Sequence, residues 1–290
     1  MVVATAVKGE TLGMQGIMEI LEETSEVREY SRQLAQKSRE LEKATTELRA
    51  ANERLQELDR LKDEIVATAS HELRTPLTSI RAFSEILQGN PELERAQREE
   101  FLAIIVKETE RLTRLLNDVL DLAKIESGRM EWHPGDHDLR DIVADAVASV
   151  SQLFSEGQIA LTQSLPDTPA IALVDRDRMQ QLVINLLSNA CKFCPEIGGH
   201  VLVELAEEND HYRFAVTDNG LGIPTDNLER VFDKFHQASN SRSGQIKGTG
   251  LGLAISRGIA EHHGGRIWAE NARHGGATFV CTVPFGQKPD

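Results

Sequence analysis

The chain has 290 residues, 40% hydrophobic and 27% charged, a balance that suits two medium globular domains or one with an extended segment and excludes disorder, collagen and a disulfide scaffold. Its 32 Lys and Arg against 46 Asp and Glu leave a net charge of −14, so the whole chain lacks an electrostatic footprint for nucleic acid or anionic lipid, and any anionic ligand must be gripped locally. Cys191, Cys194 and Cys281, with no signal peptide and no apolar run near the roughly 20 residues of a spanning helix, point to a reducing cytoplasm and no membrane contact.

Residues 1–16 read as a short N-terminal segment. From Ile17 to Leu87 the sequence holds no Gly and favours helix, and Ile20, Val27, Leu34, Leu41, Leu48 and Leu55 recur every seven residues. A strict heptad column imposes a left-handed coiled coil, so residues 17–60 should pair with a second copy of themselves. The companion column of Glu23, Tyr30, Lys37, Ala44, Ala51 and Leu58 is far from uniformly apolar, which makes that pairing weak. Beyond it Leu61, Ile65, Ala69, Leu73, Leu77, Ile80, Ser84 and Leu87 form a wider helical stripe ending at Gly89-Asn90-Pro91. A second amphipathic helix runs from Glu92 to Ser127, with Phe101, Ile105, Leu112, Leu115, Val119 and Leu122 inward. One such hairpin, within residues 61–130, leaves its apolar stripe half covered, and a symmetric dimer forming a four-helix bundle is the economical solution.

After Trp132 a Pro134-Gly135 break leads into an α/β domain over residues 136–286, where most of the glycines lie. Helices are expected at Leu139 to Phe154, Arg176 to Phe193 and Leu251 to His263. Strands are expected at Ile159 to Ser164, Ala170 to Val174, His200 to Ala206, Tyr212 to Thr217, Arg266 to Glu270 and Ala277 to Val283.

Ser70-His71-Glu72-Leu73-Arg74-Thr75-Pro76 interrupts the first bundle helix. His71 lies two positions from Leu73, roughly 160° round the helix, and should face solvent. A lone surface histidine usually does nothing, but Glu72 can orient the imidazole or take its proton, Pro76 removes a backbone donor to the Glu72 carbonyl, and Thr75 adds a hydroxyl one turn on.

Three clusters in the α/β domain point to a nucleotide. Asn185, Asn189 and Lys192 share one helical face, and amide oxygens beside a cation suit a polyphosphate carrying Mg²⁺; a solvated polar face is the competing reading. Asp218-Asn219-Gly220-Leu221-Gly222-Ile223 follows a strand, where glycines allow close approach and a buried carboxylate can accept from an adenine amino group; hairpin turns use the same letters. Lys247-Gly248-Thr249-Gly250-Leu251-Gly252 opens a helix and can offer backbone donors and the positive helix end to phosphate, a Gly-rich turn being the alternative. It is neither a Walker loop nor a Rossmann fingerprint.

Taken in order, these residues resemble the sensor histidine kinases of two-component systems. Ser70 to Pro76 is similar to the H box, Asn185 to Phe193 to the N box, Asp218 to Ile223 to the first G box, Phe232-Asp-Lys-Phe235 to the F box and Gly248 to Leu253 to the second G box. The resemblance implies an α plus α/β protein: a coiled-coil helix leading into a dimeric phosphoacceptor bundle, then an α/β sandwich that binds ATP, of the Bergerat (GHKL) type. It implies His71 as phosphoacceptor, Glu72 as acid or base and Thr75 as an aid to hydrolysis on a phosphorylated partner. Asn185 would hold Mg²⁺, Asn189 and Lys192 phosphate, Phe193 the adenine side and Asp218 the adenine amino group. Gly220, Gly222, Gly248, Thr249, Gly250, Leu251 and Gly252 would cradle ATP, under a flexible lid between Phe235 and Gly248. The expected partners are a second copy and the receiver domain of a response regulator. The alternative is an ATP-gated interaction module of the same fold without kinase activity. A redox or metal role for the Cys191/Cys194 pair is the lesser reading beside plain packing. The abrupt start suggests a fragment whose parent senses through an upstream module, and no receiver domain is expected after Phe285.

Overall fold

A computed structural model describes residues 14–195, 197–236, 249–273 and 275–285, and the chain divides into two compact units, Met1–Glu64 and Ile65–Asp290. Helix α1 runs from Met14 to Gly89. In the first unit the heptad residues Val27, Leu34, Leu41 and Leu48 are 60% to 74% exposed. Apolar side chains at that spacing suit cover by a partner helix.

In the second unit, α1 and α2 (Arg95–Glu126) form an antiparallel hairpin. Phe83 meets Phe101 at a centroid distance of 5.2 Å near the turn, and Arg111 reaches Glu72 further along. The hairpin keeps Leu77, Leu102, Val106, Leu116 and Leu120 exposed, an apolar face that one hairpin cannot cover. Against expectation the Ser70–Pro76 stretch does not interrupt the helix: α1 is helical through Pro76, whose ring is buried. A proline deprives the helix of one backbone bond, and burial of the ring offsets that loss.

The remaining elements are β1 (Pro134–Asp138), α3 (Leu139–Glu156), β2 (Ala160–Ser164), β3 (Ile171–Asp175), α4 (Arg176–Phe193), β4 (His200–Glu208), β5 (His211–Asp218), α5 (Gly252–His262), β6 (Arg266–Asn271) and β7 (Ala277–Pro284). They make a five-stranded sheet of order β2-β4-β5-β7-β6 beside a β1-β3 ribbon. Only β2 runs parallel to its neighbour in the larger sheet. The expected break at Pro134-Gly135 is instead the start of β1, paired antiparallel with β3. Proline fits there because the first residue of an edge strand needs no ladder donor. Two single-turn 3-10 segments, Thr225–Asn227 and Arg230–Phe232, were also not anticipated.

Why these residues make this sandwich is plain at the interface between helices and sheet. In α4, Met179, Leu182, Val183, Leu186, Leu187 and Ala190 are buried at helical spacing, and in β4, Val201, Val203 and Leu205 are buried at strand spacing. Helices α3 and α4 are each capped by the aspartate before them: Asp138 accepts from Arg140 N and Asp175 from Arg178 N.

Candidate functional site

Helix α4 is the spine of the site. Its apolar face is committed to the core, so Asn185 and Asn189 lie half-buried on the flank while Lys192 and Phe193 stay exposed at its end. Asn185 Nδ2 donates to the Gly252 carbonyl at 3.2 Å, which leaves its Oδ1 as the amide atom available to a cation. The surrounding protein and the charge of Arg114 hold the Lys192 ammonium below the ordinary lysine value, with Asp118 acting the other way.

Asp218 ends β5, and its burial follows from strand parity: Tyr212, Phe214, Val216 and Asp218 point the same way and are all buried. A core-facing position is thereby given to a carboxylate. Burial pushes its carboxyl above the ordinary aspartate value, opposed by the backbone N–H groups of Gly220 and Ala277. Both donate to Oδ1, at 2.8 and 3.2 Å, leaving Oδ2 for a ligand's donor. At Gly220 an added Cβ would lie 2.2 Å from the Phe193 carbonyl oxygen, so this loop can close on the end of α4 only as glycine. The stretch beyond Gly222 is clamped by Asn271, whose Oδ1 accepts from Ile223 N and whose Nδ2 donates to Ile223 O, both at 2.7 Å. Asn271 carries no sequence signal, because it lies 48 residues away on β6.

The third cluster is described from Thr249 onward; Gly248 and residues 237–247 of the expected lid between Phe235 and Gly248 lie outside the described residues. Gly250 has φ +69, and a Cβ there would stand 2.7 Å from Phe235 Cα. The Phe235 amide donates to the Gly250 carbonyl at 2.9 Å, which ties the two ends of that segment together. Leu251 is buried and Gly252 starts α5. The sequence-derived nucleotide residues therefore converge: Gly220 abuts Phe193 at one end of α4, and Gly252 abuts Asn185 in its middle.

His71 is exposed, as its helical angle requires, and Glu72 is half-buried. Arg111 Nη2 donates to Glu72 Oε2 at 3.2 Å, and Glu108 is its second carboxylate neighbour at 3.8 Å. The Thr75 hydroxyl donates to the His71 carbonyl at a long 3.4 Å. Three carboxylates of α2 escaped notice in the sequence: Asp118, Asp121 and Glu126, which meet Thr249, Arg178 and Lys234 respectively. Cys194 Sγ lies 3.7 Å from Asn219 Oδ1, and burial raises both the Cys191 and Cys194 thiols, which disfavours the thiolate that redox or metal chemistry needs.

Residues 61–128 match the family model described as His Kinase A (phospho-acceptor) domain, and residues 174–287 match histidine kinase-, DNA gyrase B-, and HSP90-like ATPase. The sensor histidine kinase WalK of Bacillus subtilis is 34% identical over 239 residues, covering 81% of this chain, while the chain spans only 38% of that relative's length. Full-length ShkA in complex with AMPPNP is a structural neighbour at 27% identity and TM-score 0.59, over 79% of this chain and 47% of that one. Histidine kinase ThkA in complex with response regulator protein TrrA matches at 23% identity and TM-score 0.62, over 79% of this chain and 63% of that one, a likeness of fold.

Proposed function

The chain belongs to the sensor histidine kinases of two-component systems, and from that premise we propose that it phosphorylates His71 from Mg-ATP and passes the phosphoryl group to an aspartate of a response regulator. The observation that carries this reading is the convergence of both glycine clusters on α4, Gly220 at Phe193 and Gly252 at Asn185. That arrangement leaves Asp218 Oδ2 for an adenine amino group at one end and Asn185 Oδ1, Asn189, Lys192, Thr249 and the start of α5 for the phosphates at the other. An Mg²⁺ ion bound through Asn185 would neutralise phosphate charge. No helix among the described residues is long and apolar enough to cross a membrane.

In the transfer, an imidazole nitrogen of His71 bonds the γ-phosphorus while the bond from that phosphorus to the β–γ bridging oxygen breaks, and ADP leaves with the electron pair. The imidazole N–H proton is released, and the neighbouring carboxylate of Glu72 is assigned to take it. Most of the chain's contribution is positioning and charge neutralisation. Residues 61–130 are proposed as the phosphoacceptor hairpin, 136–286 as the ATP-binding domain and 17–60 as the coil. The exposed column in the coil and the uncovered face of the hairpin support a homodimer. The complex of ThkA with its regulator supports transfer to a receiver domain.

Incubation with γ-labelled ATP should give a product that is labile in acid and stable in alkali, the signature of a phosphohistidine. Calorimetric ATP binding without any label would instead favour an ATP-gated module. Asn185→Ala is expected to weaken Mg-dependent ATP binding by about tenfold or more, the scale of one interaction with a charged group, while dimerisation in sedimentation is kept; unchanged Mg-ATP affinity would count against the residue.

Thr75→Ala tests a separate role. Its hydroxyl, whose bond to the His71 carbonyl is a long 3.4 Å, can turn toward a water attacking a phosphoaspartate docked on the hairpin. The variant should keep autophosphorylation and lengthen the lifetime of the phosphorylated regulator several-fold. Equal lifetimes with both proteins would remove the role.

A further inference from the structure

Resting on that reading of the nucleotide site, we propose that Asp118 of α2 stands in for a nucleotide phosphate, so that docking of the ATP-binding domain on α2 and tight binding of a polyphosphate exclude one another. The seam between them is built from both polar and apolar contacts. Leu115 and Leu122 are buried, and Ile125 sits where a Cβ on Gly258 would be only 2.7 Å from its Cγ2. Asp121 Oδ2 accepts from Arg178 Nη1 at 2.8 Å and from Gln181 Nε2 at 3.0 Å, and Glu126 pairs with Lys234.

Asp118 differs from these grips in what it holds. Its Oδ2 accepts from the Thr249 hydroxyl at 3.1 Å, and that hydroxyl accepts in turn from Leu251 N at 3.3 Å. Thr249 lies just ahead of α5, at the positive end of the helix, where a phosphate would seat. The other charges acting on Asp118 are Lys192 and Arg114, which favour its ionised form, and Asp121, which opposes it. Thus one carboxylate on α2 engages two of the groups assigned to phosphate: the Thr249 hydroxyl and the field of Lys192. Burial also pushes the Asp118 carboxyl above the ordinary aspartate value, so a desolvated anion is kept in a seam that an apolar side chain could fill more cheaply.

The docked position also lies away from the phosphoacceptor. Asp118 is seven residues beyond Arg111, the partner of Glu72, and seven residues are two turns or about 10 Å along a helix. The phosphate-binding loop must therefore leave Asp118 to present a phosphoryl group to His71. A nucleotide that displaces Asp118 starts that release.

The test is calorimetric titration of the full chain with Mg-ADP, which binds without phosphoryl transfer. When a competing docked state is removed, apparent affinity rises by the reciprocal of the fraction that was free to bind; with about a third to a tenth of the parent chain undocked, we expect Asp118→Ala to bind about three- to tenfold tighter, with Asp118→Asn in between. Loss of a nearby negative charge would alone favour ADP, so Arg178→Gln is the deciding variant. It removes a positive charge, which by simple electrostatics weakens ADP, yet it loosens the seam at Asp121, which by the proposed competition tightens ADP. Tighter binding in both the Asp118 and Arg178 variants supports the latch. Tighter binding at Asp118 with weaker binding at Arg178 reduces the effect to local charge and overturns it, as do Asp118 variants that bind no tighter than the parent. A folded parent chain that binds no Mg-ADP at all overturns the nucleotide reading itself, and the latch with it.

Discussion

His71→Gln is expected to reduce autophosphorylation from γ-labelled ATP to background while Mg-ATP affinity stays within about twofold and the fold is kept. The side chain is exposed on α1, and surface substitutions away from special features change stability by only about ±0.5 kcal/mol. Glutamine suits a helix, and the Thr75 hydroxyl bonds the backbone carbonyl of residue 71, so that contact survives the change. The groups assigned to nucleotide lie on α4, β5 and the start of α5, with no part in the α1 surface that carries His71. What glutamine lacks is a nitrogen with an available lone pair, because its amide nitrogen is conjugated to the carbonyl. Label retained at the parental level would remove His71 as the acceptor. Label lost together with Mg-ATP binding would mean that residue 71 supports the nucleotide site.

The path from sequence to this site was legible wherever one periodicity governed. The sequence set Asp218 just after a strand and before glycines, where a carboxylate asks for a ligand; the structure carries the strand one residue further, so the parity of Tyr212, Phe214 and Val216 turns Asp218 to the core side. Helical spacing put Asn185, Asn189 and Lys192 on one flank of α4 for the same reason. The solvent-facing angle of His71 needed nothing beyond 100° per residue. What escaped were contacts between elements distant in the chain: Asn271 clamping Ile223 from β6, Arg111 on Glu72, and the seam of Asp118, Asp121 and Glu126. On α2 these carboxylates look like an ordinary solvated face, because their meaning depends on what packs against them, and local patterning does not carry that. Pro134 misled for the complementary reason: proline ends many elements, and only the pairing of β1 with β3 makes it a strand start.

Asp218→Asn should separate binding from stability more sharply than any other change. The asparagine Oδ1 can still accept from Gly220 N and Ala277 N, which meet the aspartate at 2.8 and 3.2 Å, so the loop keeps its anchor. The carboxylate oxygen left for the adenine amino group is replaced by an amide NH₂, a donor facing a donor. Loss of a hydrogen bond to a charged group, with the partner left unsatisfied, is worth about 1.5–3 kcal/mol, so Mg-ATP affinity is expected to fall by about tenfold to a hundredfold. Stability should move the other way. Burial raises the Asp218 carboxyl above its ordinary value, so between the unfolded and folded pKa values the native state binds the proton more tightly, and ionisation of Asp218 costs stability as pH rises through that window. The neutral asparagine has no such cost: above the window the variant should melt at or above the parent temperature, and its melting should lose that component of pH dependence. ATP affinity of the parent should fall as pH drops through the raised Asp218 pKa, since the protonated carboxyl is a poorer acceptor, and the variant should show no such step. Parental affinity in the variant would remove Asp218 from the adenine site, whereas a large drop in melting temperature would make it a structural residue first.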